Sequence, residues 1–201
     1  MATTDLTVIL GNTDIYLLDQ IMKNRYKPGD LLLDAGCGTG RNLHWFMRND
    51  FEAYGLDNNP QAVAEVRTQF SAVLPDRFQV AKVEQMPFPS GFFDGIISSA
   101  VLHFAKNDAH FFAMLDEMHR VLKHGGSLFI RMATVIGIED LVLPLGEGIY
   151  LLPDGSQRFL LTRPLLAQLI SRHSFSYLEP FKVVNVNDTR CMSTMVLQKK
   201  G

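Results

Sequence analysis

The stretch Leu31-Leu32-Leu33-Asp34-Ala35-Gly36-Cys37-Gly38-Thr39-Gly40 decides how the rest of the chain is read. It opens as a short, wholly apolar run, the composition of a strand buried on both faces of a parallel sheet. It ends in an acid followed by three alternating glycines. Glycine allows a sharp turn and lets a ligand approach the backbone where a Cβ would collide. A helix after such a turn presents free N–H groups at its start. The pattern over Asn42–Asn49, with Leu43, Phe46 and Met47 inward, is read as that helix.

Outward from this point, short apolar runs alternate with longer helical patterns, the mark of an α/β sheet with crossover helices. Upstream, Ile15, Leu18 and Met22 give a helix within Thr13–Lys23, and Lys27-Pro28-Gly29-Asp30 gives a turn. Downstream, Ala53–Asp57 is a second strand. Asn59 caps and Pro60 opens a helix running from Gln61 to Phe70. Phe78–Val83, Phe92–Ser98 and Ser127–Met132 are further strands, and Asn107–Leu122 is a helix stopped by His124-Gly125-Gly126. Val135–Arg163 reads as irregular, and Arg163–Arg172 as a last helix. Phe181–Val186 and Cys191–Gln198 flank Asn187-Asp188-Thr189. Strands joined by so short a turn must be antiparallel, so a mostly parallel sheet gains one reversed strand.

The chain has 201 residues, 47% apolar and 20% charged, which suits one globular domain. We divide it into an N-terminal helical lid (1–27), a cofactor-binding core (28–133), a substrate-side insertion (134–163), and a last helix with its hairpin (164–201). The net charge of −2 gives no basic excess for a run of phosphates, so no nucleic-acid partner is expected. Cys37 and Cys191 make no disulfide framework, and His110 and His119 are nine apart rather than at metal-ligand spacing, so no metal is expected. The start of the chain lacks the basic region of a secretory signal, and no run is long enough for a membrane helix. A cytoplasmic protein without membrane contact is the expectation.

Asp57 stands 21 residues after Gly36, at the end of the second strand. A carboxylate there can accept from both hydroxyls of a ribose. The nicotinamide fingerprint G-x-G-x-x-G places a glycine where this chain has Arg41, and a phosphate loop of the Walker type is absent. An NAD-dependent oxidoreductase is therefore the alternative enzyme, and a cofactor-binding module without turnover the alternative of another class.

Four segments together, Asp34–Gly40, Gly55-Leu56-Asp57, Met86–Asp94 and Met118–Gly126, resemble the class I S-adenosylmethionine-dependent methyltransferases of the type 11 kind. Gly40-Arg41-Asn42 and Ser193–Lys200 are more weakly similar to tellurite-resistance and thiopurine-type small-molecule methyltransferases. The resemblance implies a Rossmann-like three-layer αβα sandwich. Its seven-stranded sheet has the order 3-2-1-4-5-7-6, with one antiparallel strand. It implies S-adenosyl-L-methionine as cofactor. Gly36, Cys37, Gly38, Gly40 and Arg41 would surround the methionyl part, and Asp34 would orient its ammonium directly or through water. Asp57 would hold the ribose, with Asn58, Val83, Glu84 and Ser99 completing the site. Lys82 stands where many relatives carry an acid that accepts from the adenine amino group, which a lysine cannot do.

Methyl transfer from a sulfonium needs alignment and desolvation more than acid–base groups. His103, after the fourth strand, is the candidate catalytic residue, either as a base or as an orienting donor. Tyr16, Arg131, Arg163 and Arg190 are candidates for binding a small-molecule acceptor, anionic or thiol-like.

Overall fold

The computed structural model describes residues 6–72 and 74–201, so the first five residues of the expected lid lie outside the described residues. The central strand is β1 (Leu31–Ala35). It pairs in parallel with β2 (Glu52–Asp57) on one side and β4 (Phe93–Ser99) on the other. β3 (Phe78–Val80) extends the β2 side. β5 (Leu122–Thr134) extends the β4 side in parallel, and β11 (Arg190–Lys199) follows it antiparallel. The first five positions thus run 3-2-1-4-5, as expected. The edge beyond β11 is more elaborate than the expected single strand. β9 (Phe175–Tyr177) and β10 (Lys182–Val186) pair with opposite ends of β11, separated by Leu178–Phe181 with Pro180, so the sheet has eight strands. A proline cannot donate to a ladder, which accounts for the interruption.

Adjacent residues of each central strand serve opposite faces, because side chains alternate across a pleat. Leu33, Ile96, Leu128 and Met195 join Phe111, Leu115 and Met118 of α4 (Asp108–Val121) on one face. On the other face, Leu32, Ile97, Phe129 and Val196 meet Leu17 of α2 (Ile15–Met22) and Val63 and Val66 of α3 (Pro60–Gln69). A five-residue helix α1 (Leu6–Leu10) precedes α2. The Asn59 side chain accepts from Gln61 N and Pro60 fills the first turn of α3, as the sequence indicates. α5 (Arg163–Arg172) starts behind a Thr162 cap and also has the boundaries expected.

Three expectations are corrected. Asn42–Asn49 is not a regular helix but a chain of turns ending in the 3-10 turn Phe46–Arg48. An eight-residue helix is marginal without packing, and here Asn42 is diverted to accept the Asp14 N–H while Leu43 and Phe46 enter the core. α4 ends at Val121 and passes directly into β5, so Gly125-Gly126 lies inside a strand rather than behind a helix. The segment read as irregular carries a second antiparallel sheet of β6 (Leu143–Gly146), β7 (Ile149–Leu151) and β8 (Gln157–Phe159). Phe159 anchors that sheet by stacking on Phe111 of α4, ring centroids 5.2 Å apart. No described helix is long and apolar enough to cross a membrane.

Candidate functional site: two cavities that meet at Ala100

β1 is followed by neighbours on both sides, since the chain winds outward to β2 and β3 and then returns to β4. Ligands of open α/β sheets lie in the crevice at such a switch, beyond the carboxyl ends of the strands. A cleft of ≈ 670 Å³ occupies that place. Gly36 and Gly38 form one wall, Asp57 and Asn58 a second, and Val83 and Glu84 a third.

The loop is held by its neighbours. Gly36 N and Cys37 N both donate to Leu56 O at 2.9 Å. Asp57 accepts from Gly38 N through Oδ2 and from Asn59 N through Oδ1, each at 2.9 Å. The acid that faces the cleft is thus also the clamp of the loop. Gly36, Gly38 and Gly40 have φ of 81°, 52° and 84°, the left-handed region that glycine occupies without strain. A Cβ on Gly36 would come within 2.5 Å of Val101 Cγ2, whereas one on Gly38 would meet no protein atom within 4 Å and would project into open space. Gly36→Ala is expected to lower stability by at least ~2 kcal/mol, combining overpacking with backbone strain. Gly38→Ala is expected to cost only about 1 kcal/mol from strain. Thermal unfolding of the two variants checks the contrast.

Asp34 lies beneath this loop, 1% exposed, and neither carboxyl oxygen has a hydrogen-bond partner among the described residues. Burial pushes its pKa up to about 7; Arg41 opposes the shift and Asp57 adds to it. A buried carboxyl without a donor is costly unless something supplies one. Asp34 itself does not line the cleft; an ammonium group of a ligand lying over the Gly36–Gly38 wall, reached directly or through water, would meet that need. The open space at Gly38 and the two acids together fit S-adenosyl-L-methionine, which carries an ammonium at one end and a ribose diol near the other.

Other expected cofactor residues are placed differently. Cys37 turns away from the cleft, its Sγ packed against Gly55, and burial pushes its thiol pKa up. Gly40 abuts Phe70 and Val66 of the α3 layer. Ser99 and Arg41 point to the far side of Ala100, where Arg41 Nη2 donates to Ser99 Oγ at 3.0 Å and Ser99 Oγ donates to Asp14 Oδ2 at 3.2 Å. Lys82 lines the cleft beside Val83, and Glu84 meets His110 Nε2 at 3.4 Å across it.

A second cavity, of ≈ 320 Å³, opens beyond Ala100, which lines both. His103, Arg131 and Arg190 line it, together with Arg41 and Arg158. Tyr16 stacks under Arg131, the guanidinium 4.9 Å from the ring centroid. Arg163 is exposed at the start of α5 and lines neither cavity, so the structure does not bring it to the site. Arg158 and Asp154 were missed because they sit on β8 and its preceding turn, which short strands and Pro153 conceal. His103 is buried, and Ala133 N donates to its Nδ1 at 3.4 Å, which leaves the ring proton on Nε2. Burial, with Arg158 adding to it, lowers its pKa to about 4. The ring therefore stays neutral near pH 7 and offers a donor rather than a strong base. Among the described residues no group of three or more His, Cys, Asp or Glu stands close enough to hold a metal.

Residues 33–130 match the family described as a methyltransferase domain. Malonyl-(acyl-carrier protein) O-methyltransferase of Herminiimonas arsenicoxydans is 32% identical over 123 residues, 60% of this chain and 44% of that protein. The tRNA (carboxymethyluridine(34)-5-O)-methyltransferase alkbh8 of Xenopus tropicalis is 34% identical over 103 residues, 51% of this chain and 15% of that protein. The chain thus spans less than half the length of these curated relatives. Among solved structures, a SAM-dependent methyltransferase of Methanosarcina mazei superimposes with a TM-score of 0.74 at 21% identity, covering 90% of this chain and 97% of that one. That likeness concerns the fold. The methyltransferase-domain match covers just under half of the 201 residues.

Proposed function

We propose that the chain methylates a small-molecule acceptor, with S-adenosyl-L-methionine in the larger cleft and the acceptor in the cavity beyond Ala100. The observation that carries this reading is the buried, unpartnered Asp34 carboxyl beneath a glycine wall that leaves room for a ligand. When bound, the cofactor supplies an electrophilic methyl group on a sulfonium. The rest is the work of the chain's own residues. Asp34 orients the ammonium end, directly or through water. Asp57 accepts from the ribose hydroxyls with the lone pairs left by its two backbone bonds, and Asn58, Val83 and Glu84 border the adenine side. The short path past Ala100 brings acceptor and methyl group together, and excluding water there keeps the nucleophile desolvated. His103, with its proton on Nε2, orients the acceptor. Tyr16 of α2, stacked on Arg131, and the β7–β8 turn with Arg158 border the acceptor side.

The size of the second cavity supports a small acceptor rather than a polymer lying across the surface. Calorimetry of the full chain with S-adenosylmethionine, S-adenosylhomocysteine and NAD tests the cofactor. Both adenosyl compounds are expected to bind and NAD is not; binding of NAD alone overturns the reading in favour of an oxidoreductase. A screen with labelled methyl donor across carboxylic acids, thiols, phenols and bulk tRNA then tests the acceptor. Label is expected in a small molecule. Label in tRNA alone contradicts that assignment, and adenosyl binding without transfer to any acceptor favours a module without turnover.

A further inference from the structure

The second cavity has a charge pattern that methyl transfer itself does not require. Four guanidinium groups line it, those of Arg41, Arg131, Arg158 and Arg190, against the single carboxylate of Asp154. They come from four separate parts of the chain: the glycine-loop exit, β5, β8 and the start of β11. Asp154 is already engaged, accepting from Ser156 N at 2.9 Å and Ser156 Oγ at 2.6 Å. Behind the cavity, the buried Asp14 accepts from Arg131 Nη1 at 3.0 Å and stands 3.6 Å from Arg41 Nη2. One carboxylate thus fixes two of the cations without neutralising both. Arg131 Nε is buried and has no acceptor among the described residues. Arg158 is held over the Phe104 ring, 5.2 Å from its centroid. Cations brought this close repel one another, and an arrangement that holds two of them in place is preorganised for an anion.

We infer that the acceptor is a small organic anion, its carboxylate or phosphate group held by Arg41, Arg131, Arg158 and Arg190 on the far side of Ala100 from the cofactor. The inference rests on the assignment of this cavity to the acceptor. It sets aside a neutral thiol or phenol as the substrate class, since either would leave the guanidinium groups without a counter-charge. It also sets Arg163 aside and adds Arg41 and Arg158 to the residues that choose the acceptor.

The test titrates the full chain, first saturated with S-adenosylhomocysteine and then free, with four probes. Glutarate and phenyl phosphate carry the anion; glutaramide and phenol are neutral counterparts. The variants are Arg158→Gln with Arg190→Gln, both at partly or fully exposed positions, and Arg163→Gln as the control that lines neither cavity. At least one anion is expected to bind saturably while the neutral pair does not. Its affinity should fall about tenfold or more in the double variant, as loss of charge-assisted bonds implies, and stay unchanged in Arg163→Gln. Binding of glutarate alone assigns a carboxylate, and binding of phenyl phosphate alone assigns a phosphate. Equal binding of the neutral probes, absence of binding by both anions, or anion binding indifferent to the double variant overturns the inference. Displacement of the bound anion by bulk tRNA with higher affinity overturns it in favour of a polyanion. Failure of S-adenosylhomocysteine to bind contradicts the cofactor assignment instead, and the free-chain titration then decides the anion site by the same criteria.

Discussion

Asp34→Asn weakens S-adenosylhomocysteine binding at pH 7.5 by tenfold or more and at the same time makes the free chain more stable. The two effects share one cause. In the free protein the carboxyl is buried without a donor, and its pKa rises from 3.8 to about 7. A group whose folded pKa lies above its unfolded value contributes stability that is fully present below the unfolded value and is lost as pH rises through the folded one. The free chain should therefore lose stability from about pH 4 to about pH 7, approaching ~1.4 kcal/mol per pH unit for this one proton. The amide has no proton to lose, so the melting temperature of Asp34→Asn should draw ahead of the unsubstituted chain across that window and level off above it. Binding reverses the balance. A ligand ammonium beside Asp34 favours the ionised form, so cofactor affinity should rise from pH 6 toward pH 7.5, with proton uptake by buffer. Calorimetry in two buffers of different ionisation enthalpy measures that proton. Equal affinity in the variant, or binding without proton release, removes Asp34 from the site.

Asp57→Ala should produce a different pair of effects, with both affinity and stability falling. Its carboxylate clamps Gly38 N and Asn59 N at 2.9 Å, so its removal loosens the loop that the cofactor needs in place. The Gly38 bond is partly buried and its loss costs about 1 kcal/mol, while the Asn59 bond is exposed and water replaces it. A fall of roughly 2–4 °C in melting temperature follows for a chain of this length. Loss of a charge-assisted contact to the ribose adds about 1.5–3 kcal/mol to the binding deficit. Asp57→Asn separates the two roles, since its amide oxygen can still accept one backbone N–H. An Asp57→Ala chain that melts lower but binds S-adenosylhomocysteine as tightly as before would make Asp57 a loop clamp alone.

The parts of the fold that were legible in the sequence are those with local causes. The Leu31–Leu33 run of β1 is apolar because the strand is buried on both faces, and the glycines after it are needed for their positive φ. Asn59-Pro60 marks a helix start because a capping side chain and a ring with fixed φ act within one turn. The parts that were not legible depend on contacts far along the chain. Leu43, Phe46 and Met47 carry helical spacing, yet packing and the Asn42–Asp14 bond override it. The β6–β8 sheet is built from strands of three or four residues with Pro144 among them, too short to show a period of two. Cys37 lies inside the glycine loop but in a turn, where no periodicity says which way a side chain faces, and it faces the core. Arg158 becomes a cavity residue only because Phe159 beside it is docked on α4. Arg163 shows the converse, since its place at the first turn of α5 keeps it on the surface.

A crystal structure of the full chain grown with S-adenosylhomocysteine decides the account at its root. The amino-acid end should lie over Gly36 and Gly38 with its ammonium joined to Asp34, directly or through one water, and the ribose hydroxyls should meet Asp57. The sulfur should point toward Ala100 and the arginine-lined cavity. The compound lodged among those arginines, or with its ribose away from Asp57 and its ammonium away from Asp34, would contradict it.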